Sequence, residues 1–259
     1  MTRSLVGVVA IGLLLAGCSA PGAAAPTPGA SPDSLTGTVT VFAAASLTET
    51  FGALAAGFEA EHPGVRVTLN FGGSSALATQ IVQGAPADVF AAASGTTMKT
   101  VTDAKLVAGS PTTFVTNTLE IAVPADNPGK VTALKDFANP ALTIALCAVE
   151  VPCGSAAKTV LATAGVVASV DTYEQDVKSV LTKIELGEVD AGLVYKTDVL
   201  SAGAKVRGID FPEASAAVGS YPIALLTTAP NTAAARAFID YVLSPAGKKV
   251  FSDAGFGTP

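Results

Sequence analysis

The chain has 259 residues, 49% of them hydrophobic, and its 15 Lys and Arg against 21 Asp and Glu give a formal net charge of −6. That is enough apolar material for one large domain or two small ones, and no basic cluster offers nucleic acid a phosphate-binding face. The acidic balance disfavours long-range attraction of anions, so any anion site here must work through local hydrogen bonds. In chain order, Arg3 gives a positive start and Leu5 to Ala16 (LVGVVAIGLLLA) an apolar run. The run is too short to span a bilayer comfortably, and the pattern predicts a signal peptide over 1–17.

The run ends in Leu15-Ala16-Gly17-Cys18. This tetrad resembles the lipobox of bacterial lipoproteins, in which cleavage before the cysteine leaves it N-terminal and lipid-bearing. An ordinary signal peptide with a chance cysteine is the plainer reading. Ser19 to Thr36 (SAPGAAAPTPGASPDSLT) is rich in Pro, Ala, Gly and Ser and has no apolar periodicity. It predicts a linker over 18–36 that holds the body near a membrane, with a reach of roughly 55 Å when extended. Cys147 and Cys153 are left as a pair in a chain that matures in an oxidising space. They are either bridged or two buried free thiols, since geometry cannot be read from spacing.

The body alternates strands and helices. Thr38 to Ala44 (TVTVFAA) predicts a buried strand. Ser46-Leu47-Thr48-Glu49 predicts a capping box, with Ser46 at the N-cap, opening a helix that runs to about His62. Val65 to Phe71 alternates as a strand. Gly72-Gly73-Ser74-Ser75 then turns into a second helix that Gly84-Ala85-Pro86 ends, and Ala87 to Ala92 is a third strand. Farther on, Leu119 to Val123, Leu142 to Leu146, Ala191 to Tyr195 and Tyr221 to Thr228 are expected as strands. Gly154 to Ala164, Glu174 to Leu186, Thr232 to Leu243 and Pro245 to Ala254 are expected as helices.

Such alternation predicts parallel sheet covered on both faces, with ligands at the carboxyl ends of strands. Three loops of this kind carry small hydrogen-bonding residues: Ser46, Gly72 to Ser75, and Cys153-Gly154-Ser155. Helix N-termini there present unpaired N–H groups and partial positive charge, an anion site without Lys or Arg.

These segments carry a resemblance. Thr40-Val41-Phe42-Ala43-Ala44-Ala45-Ser46-Leu47-Thr48, Phe71-Gly72-Gly73-Ser74-Ser75 and Gly84-Ala85-Pro86-Ala87-Asp88-Val89-Phe90 resemble the periplasmic molybdate-binding proteins of ABC importers. Val151-Pro152-Cys153-Gly154, Asp176-Val177, Gly192-Leu193-Val194-Tyr195 and Tyr221-Pro222 follow in the same order, so the likeness covers the chain from about residue 37 onward. The resemblance implies an α/β fold of the two-lobed periplasmic-binding type, with mixed sheets flanked by helices and two crossover strands. The crossings are expected near Phe114 to Glu120 and Gly219 to Leu226, with lobe 1 over 37–116 and 225–259 and lobe 2 over 117–224. It implies a ligand and no cofactor: molybdate or tungstate, held by Ser46, Ser74, the N–H of Cys153, the N–H of Val177, and Tyr195. It implies partners too: an ABC permease, the membrane through the Cys18 anchor, and no nucleic acid; the protein is expected as a monomer. Family members commonly have a small apolar residue where Cys153 stands, and a Cys147–Cys153 bridge would stiffen that loop.

Each residue also has a plainer role: Ser46 as a helix cap, Ser74 as a turn serine, Tyr195 and Val177 as core. Another tetrahedral oxyanion such as sulfate, or a surface lipoprotein outside transport, are the alternative functions. Enzyme readings have little support. His62 is the sole histidine and precedes the helix-breaking Pro63-Gly64, so no Ser-His-Asp set can be built around a second one. Metal-ligand spacing is missing, and no Gly-Lys-Ser/Thr follows Gly72-Gly73-Ser74 to make a P-loop.

Overall fold

The structure is a computed structural model that describes residues 35–259. The signal peptide, Cys18 and the linker as far as Ser34 lie outside the described residues. Leu35 and Thr36, expected in the linker, belong to the body. Leu35 packs partly buried against the core, and the Asn231 side-chain amide donates to the Thr36 carbonyl at 2.9 Å.

Among the described residues two five-stranded sheets form. The first has the order β2 (Val65–Gly72), β1 (Gly37–Ala44), β3 (Val89–Ala91), β10 (Gly219–Leu225), β4 (Thr112–Asn117). The second has the order β7 (Thr172–Glu174), β6 (Ile144–Cys147), β8 (Ala191–Tyr195), β5 (Leu119–Pro124), β9 (Val206–Ile209). In each sheet the first three strands are parallel and the other pairings are antiparallel. The all-parallel expectation from alternation is therefore corrected to mixed sheets, as the resemblance implied. The fourth strand of each sheet is the cause: it arrives by a crossing from the other lobe and runs against its neighbours.

The outward crossing falls at Thr118, between β4 and β5. The return follows β9 through a 3-10 segment, Pro212–Ala217, into β10. Because β10 pairs with β3 and β4, residues 219–224 lie in the first sheet, whereas the sequence reading placed 117–224 in lobe 2. An apolar run such as Tyr221 to Leu225 shows that a strand is buried, not which sheet it joins.

The helices are α1 (Thr48–Glu61), α2 (Ser74–Val82), α3 (Gly95–Asp103), α4 (Pro152–Ala164), α5 (Val177–Glu185), α6 (Lys196–Ala202), α7 (Thr232–Leu243) and α8 (Pro245–Asp253). Phe51 and Phe58 of α1 meet Phe238 of α7 at ring distances of 6.2 and 5.4 Å, and Phe51 meets Phe251 of α8 at 6.2 Å. Such edge and tilted aromatic contacts anchor the C-terminal helices on the first sheet.

Two helix starts differ from expectation. The capping box at Ser46 does not form. Ala45–Leu47 is a 3-10 turn, α1 begins at Thr48 with Leu47 at its N-cap, and no side chain caps it. The helix expected from Glu174 begins at Val177, because Glu174 pairs in β7 and the Asp176 carboxylate accepts the Ser179 N–H at 2.9 Å. Thr-rich α3, short α6 and strand β9 escaped the sequence reading, since none carries a long periodic apolar pattern.

Candidate functional site

The three parallel strands of each sheet end at one small cavity. It is lined by Ala44 to Ser46 after β1, Gly72 to Ser74 after β2, Ala93 after β3, Val151 to Cys153 after β6, Asp176 and Val177 after β7, and Tyr195 closing β8. The space open to the centre of a water-sized sphere is about 20 Å3. That suits a small compact ion. All five residues singled out from sequence, Ser46, Ser74, Cys153, Val177 and Tyr195, lie on this wall and are buried. No Lys or Arg lines it.

In the first lobe the donors are hydroxyls. Ser74 occupies the first position of α2, and its Oγ accepts the Ala93 N–H at 3.0 Å. A hydroxyl that has accepted from behind keeps its own hydrogen to give. Ser46 Oγ lies 3.0 Å from the Tyr221 hydroxyl, both fully enclosed. Freed from the cap role, Ser46 thus has a side-chain partner in β10. Gly73 is needed between these loops, because a Cβ there would collide with the Gln175 carbonyl oxygen of the second lobe.

In the second lobe the donors are mostly main chain. Cys153 is the second residue of α4 and Val177 the first of α5, so neither amide has an acceptor within its own helix. Pro152 holds the first position of α4, where a missing N–H is harmless. Cys147, ending β6, is bonded to Cys153, with the sulfurs 2.06 Å apart. The structure thus takes the bridged alternative and ties the start of α4 to the end of its strand. Gly154 completes this corner, since a Cβ would drive into the Ala148 carbonyl. Tyr195 is the side-chain donor of this lobe. Its own N–H is held by Asp198 Oδ2 at 3.0 Å, and burial pushes its hydroxyl pKa up, so the phenol keeps its proton. Asp176 is the one charged residue on the wall, and it turns away: Oδ1 takes the Ser179 N–H and Oδ2 lies 3.2 Å from Ser179 Oγ.

A buried cavity floored by strand ends and ringed by neutral donors is the architecture of a solute trap, and the comparisons with known proteins agree. The family of bacterial extracellular solute-binding proteins matches residues 39–257. The chain belongs to that family. It is 40% identical over 262 residues to the molybdate-binding protein ModA of Mycobacterium tuberculosis, covering 100% of this chain and 98% of the relative. The molybdate-binding protein ModA of Escherichia coli is 35% identical over 239 residues, covering 85% of this chain and 89% of that one. In three dimensions the chain is similar to the periplasmic molybdate-binding protein of Azotobacter vinelandii, with a TM-score of 0.76 at 23% identity, covering 85% of this chain and 99% of that one. That last likeness shows the fold: two lobes of α/β structure. Solute binding outside the cytoplasm is thus the chain's role, not catalysis.

In this solute-binding protein the lobes touch around the cavity. Ser75 Oγ donates to the Glu150 carbonyl at 2.6 Å. Lys178, beside Val177, reaches Glu49 of α1 at 2.9 Å and Asp198 Oδ1 at 3.2 Å. Asp198 is wholly buried, and burial raises its pKa to about 6 against the pull of Lys178. Its Oδ1 has no hydrogen bond of good geometry, so the Lys178 charge is what compensates it. Burial works against the Lys178 charge too, but Asp198 and Glu49 outweigh it and its pKa rises. Among the described residues no cluster of His, Cys, Asp and Glu could hold a metal ion, and no helix is long and apolar enough to cross a membrane.

Sequence reasoning missed Tyr221 and the Ala93 amide behind the wall, and the Glu49–Lys178 pair that lies outside the cavity. Only Tyr221 had left a signal, as part of the Tyr221-Pro222 likeness. The others act through positions that folding alone brings close.

Proposed function

We propose that the chain captures molybdate, and with it tungstate, for an ABC importer on the outer face of the cytoplasmic membrane. In this reading it works as a monomer held by a lipid on Cys18. The observation that carries the proposal is the convergence of donors from both lobes on one small cavity with no cationic side chain. A tetrahedral dianion has four oxygens, every one an acceptor, and burying it bare is prohibitive. The hydroxyls of Ser46, Ser74 and Tyr195 and the N–H groups of Cys153 and Val177 would replace its hydration shell. Hydrogen bonds to a charged group contribute about 1.5–3 kcal/mol each. Helix starts at α2, α4 and α5 add their partial positive charge. The 40% identity over the full length to a relative named for molybdate binding supports the choice of ion.

A shell of this kind selects by reach. Molybdate and tungstate are nearly equal in size and larger than sulfate, so the site should hold the first two alike and sulfate more weakly. Calorimetric titration of the purified protein with molybdate, tungstate, sulfate and phosphate tests this. One saturable site for molybdate and tungstate, with sulfate and phosphate far weaker, is the expected result. Preference for sulfate would reassign the ion, and no saturation by any oxyanion would leave a surface lipoprotein outside transport. The anchor has its own test: Cys18→Ala should move the protein from the membrane fraction to the soluble one and leave molybdate affinity unchanged.

A further inference from the structure

Ser46 and Ser74 face the same cavity, yet different groups stand behind them. Behind Ser74 is a backbone N–H, that of Ala93, which can only donate. Behind Ser46 is the Tyr221 hydroxyl, at 3.0 Å, which could donate or accept. The direction of that bond decides what Ser46 offers a ligand. If Ser46 gives its hydrogen to Tyr221, it shows a lone pair to the cavity. If Tyr221 gives its hydrogen to Ser46, the serine hydrogen is free to point inward.

The surroundings favour one direction. The Thr118 N–H lies 3.0 Å from Asn117 Oδ1, and a backbone N–H needs an acceptor, so the Asn117 oxygen faces it. The Asn117 nitrogen is thereby turned to the other side, where it donates to Thr197 Oγ1 at 2.8 Å. An amide nitrogen has a second hydrogen, and the Tyr221 hydroxyl is a neighbour of this side chain. With Asn117 on its acceptor side, the Tyr221 hydroxyl can give its hydrogen to Ser46 at 3.0 Å, with the Tyr195 hydroxyl as the other neighbour. Burial raises the Tyr221 pKa well above the usual phenol range, so that hydrogen is always present. The ring is held by Tyr195 and Phe256, edge-on at 6.0 and 5.7 Å, and is itself wholly buried.

We propose that Tyr221 is a positioning residue for the oxyanion site: it donates to Ser46 Oγ, as the Ala93 N–H does to Ser74 Oγ, and so turns the Ser46 hydrogen toward the ligand. The inference rests on the oxyanion reading above and adds a rule of specificity to it. With both serines back-donated, and the Asp176 carboxylate committed to Ser179, the wall turns hydroxyl hydrogens inward and offers no carboxylate as acceptor. A fully deprotonated oxyanion such as molybdate satisfies such a wall. Hydrogen phosphate suits it less, because its own hydrogen needs an acceptor and the serine hydroxyls are turned to donate.

The test is a double-mutant cycle on the full chain, read as molybdate affinity, with phosphate as competitor. Tyr221→Phe should weaken molybdate binding about tenfold, since Ser46 is then free to turn away. In a Ser46→Ala background the same change should cost less than about twofold, because there is no hydrogen left to direct. Phosphate should also displace molybdate from Tyr221→Phe more readily than the weaker molybdate binding alone accounts for, since Ser46 can now accept. Unliganded melting points confirm that each variant is folded. A purely structural role would give equal losses in both backgrounds and an unchanged preference over phosphate, and either result overturns the assignment. Failure of the underlying reading looks different. Wild-type protein would bind no molybdate, or Ser46→Ala alone would leave its affinity intact, and the Tyr221 role falls with it.

Discussion

The two lobes share one strand order but equip the site differently. In the first lobe, β2-β1-β3 end in loops that bring the side chains of Ser46 and Ser74 to the cavity. In the second, β7-β6-β8 end in loops that offer the main-chain amides of Cys153 and Val177 and a single side chain, Tyr195. The same scaffold thus carries a half that substitution can erase and a half that most substitutions leave untouched. An amide persists whatever side chain follows it, so the second half depends on how α4 and α5 are started, not on which residues start them.

The largest effect should come from erasing the first half. Ser46→Ala with Ser74→Ala removes two charge-directed hydrogen bonds, at about 1.5–3 kcal/mol each, and should weaken molybdate binding by roughly a hundredfold to ten-thousandfold in titration calorimetry. Loss of less than tenfold would mean that the first lobe's hydroxyls do not touch the ion.

The second half can be attacked only through its backbone. Val177 is the first residue of α5, and Asp176 before it is extended, with φ −156 and ψ 167. Proline is tolerated at a first helical position, and an extended residue is what it requires before it. Val177→Pro therefore deletes one N–H with little other disturbance and should cost roughly tenfold to a hundredfold in affinity. Val177→Ala keeps the N–H and should stay within about threefold, although it loses buried contacts and lowers the melting point. Similar losses in both variants would remove the amide from the site. Tyr195→Phe, the side-chain exception in this lobe, should also fall in the tenfold to hundredfold range.

The disulfide tests what holds the second half in place. Cys147→Ala with Cys153→Ala opens a short loop, and the chain-entropy account puts the loss near 2 kcal/mol of stability. Thermal unfolding should show it, with a smaller drop in affinity as the Cys153 amide loses its tether. An affinity loss equal to that of Val177→Pro would show that the bridge aims the amide rather than merely stiffening the loop.

The smallest effect is expected where the halves meet. Glu49 is half exposed and its pair with Lys178 spans the cleft. Exposed pairs contribute at most about 1 kcal/mol. Glu49→Gln should weaken molybdate binding no more than about fivefold, mainly through faster release in stopped-flow measurements, and added salt should erase the difference. A salt-independent loss would point to a role other than this ion pair.

The strands and helices of the body were largely legible from residues alone. Thr38 to Ala44, Ala191 to Tyr195 and Thr232 to Leu243 announce themselves, because burial on both faces of a sheet, or on one face of a helix, imposes a local apolar pattern. The strand-end loops were legible for the same local reason: glycines and serines at a strand–helix junction leave a helix start unfilled. Three matters had no local signature. Burial places a strand in a sheet but does not say which sheet, so the pairing of β10 with β3 and β4 has no mark in its own residues. A serine before a helix has the same sequence whether it caps the helix or leans on a tyrosine 175 residues away, and only the packing of β10 beside β3 decides for Tyr221. The cysteine pair could be bridged or free on spacing alone, and the corner between β6 and α4 brings the sulfurs together. Sequence by itself determined the elements and the chemistry available at their ends, since both are set within a few residues. Tertiary structure alone decided which ends face one another and which group stands behind each hydroxyl, because those depend on contacts between segments far apart in the chain.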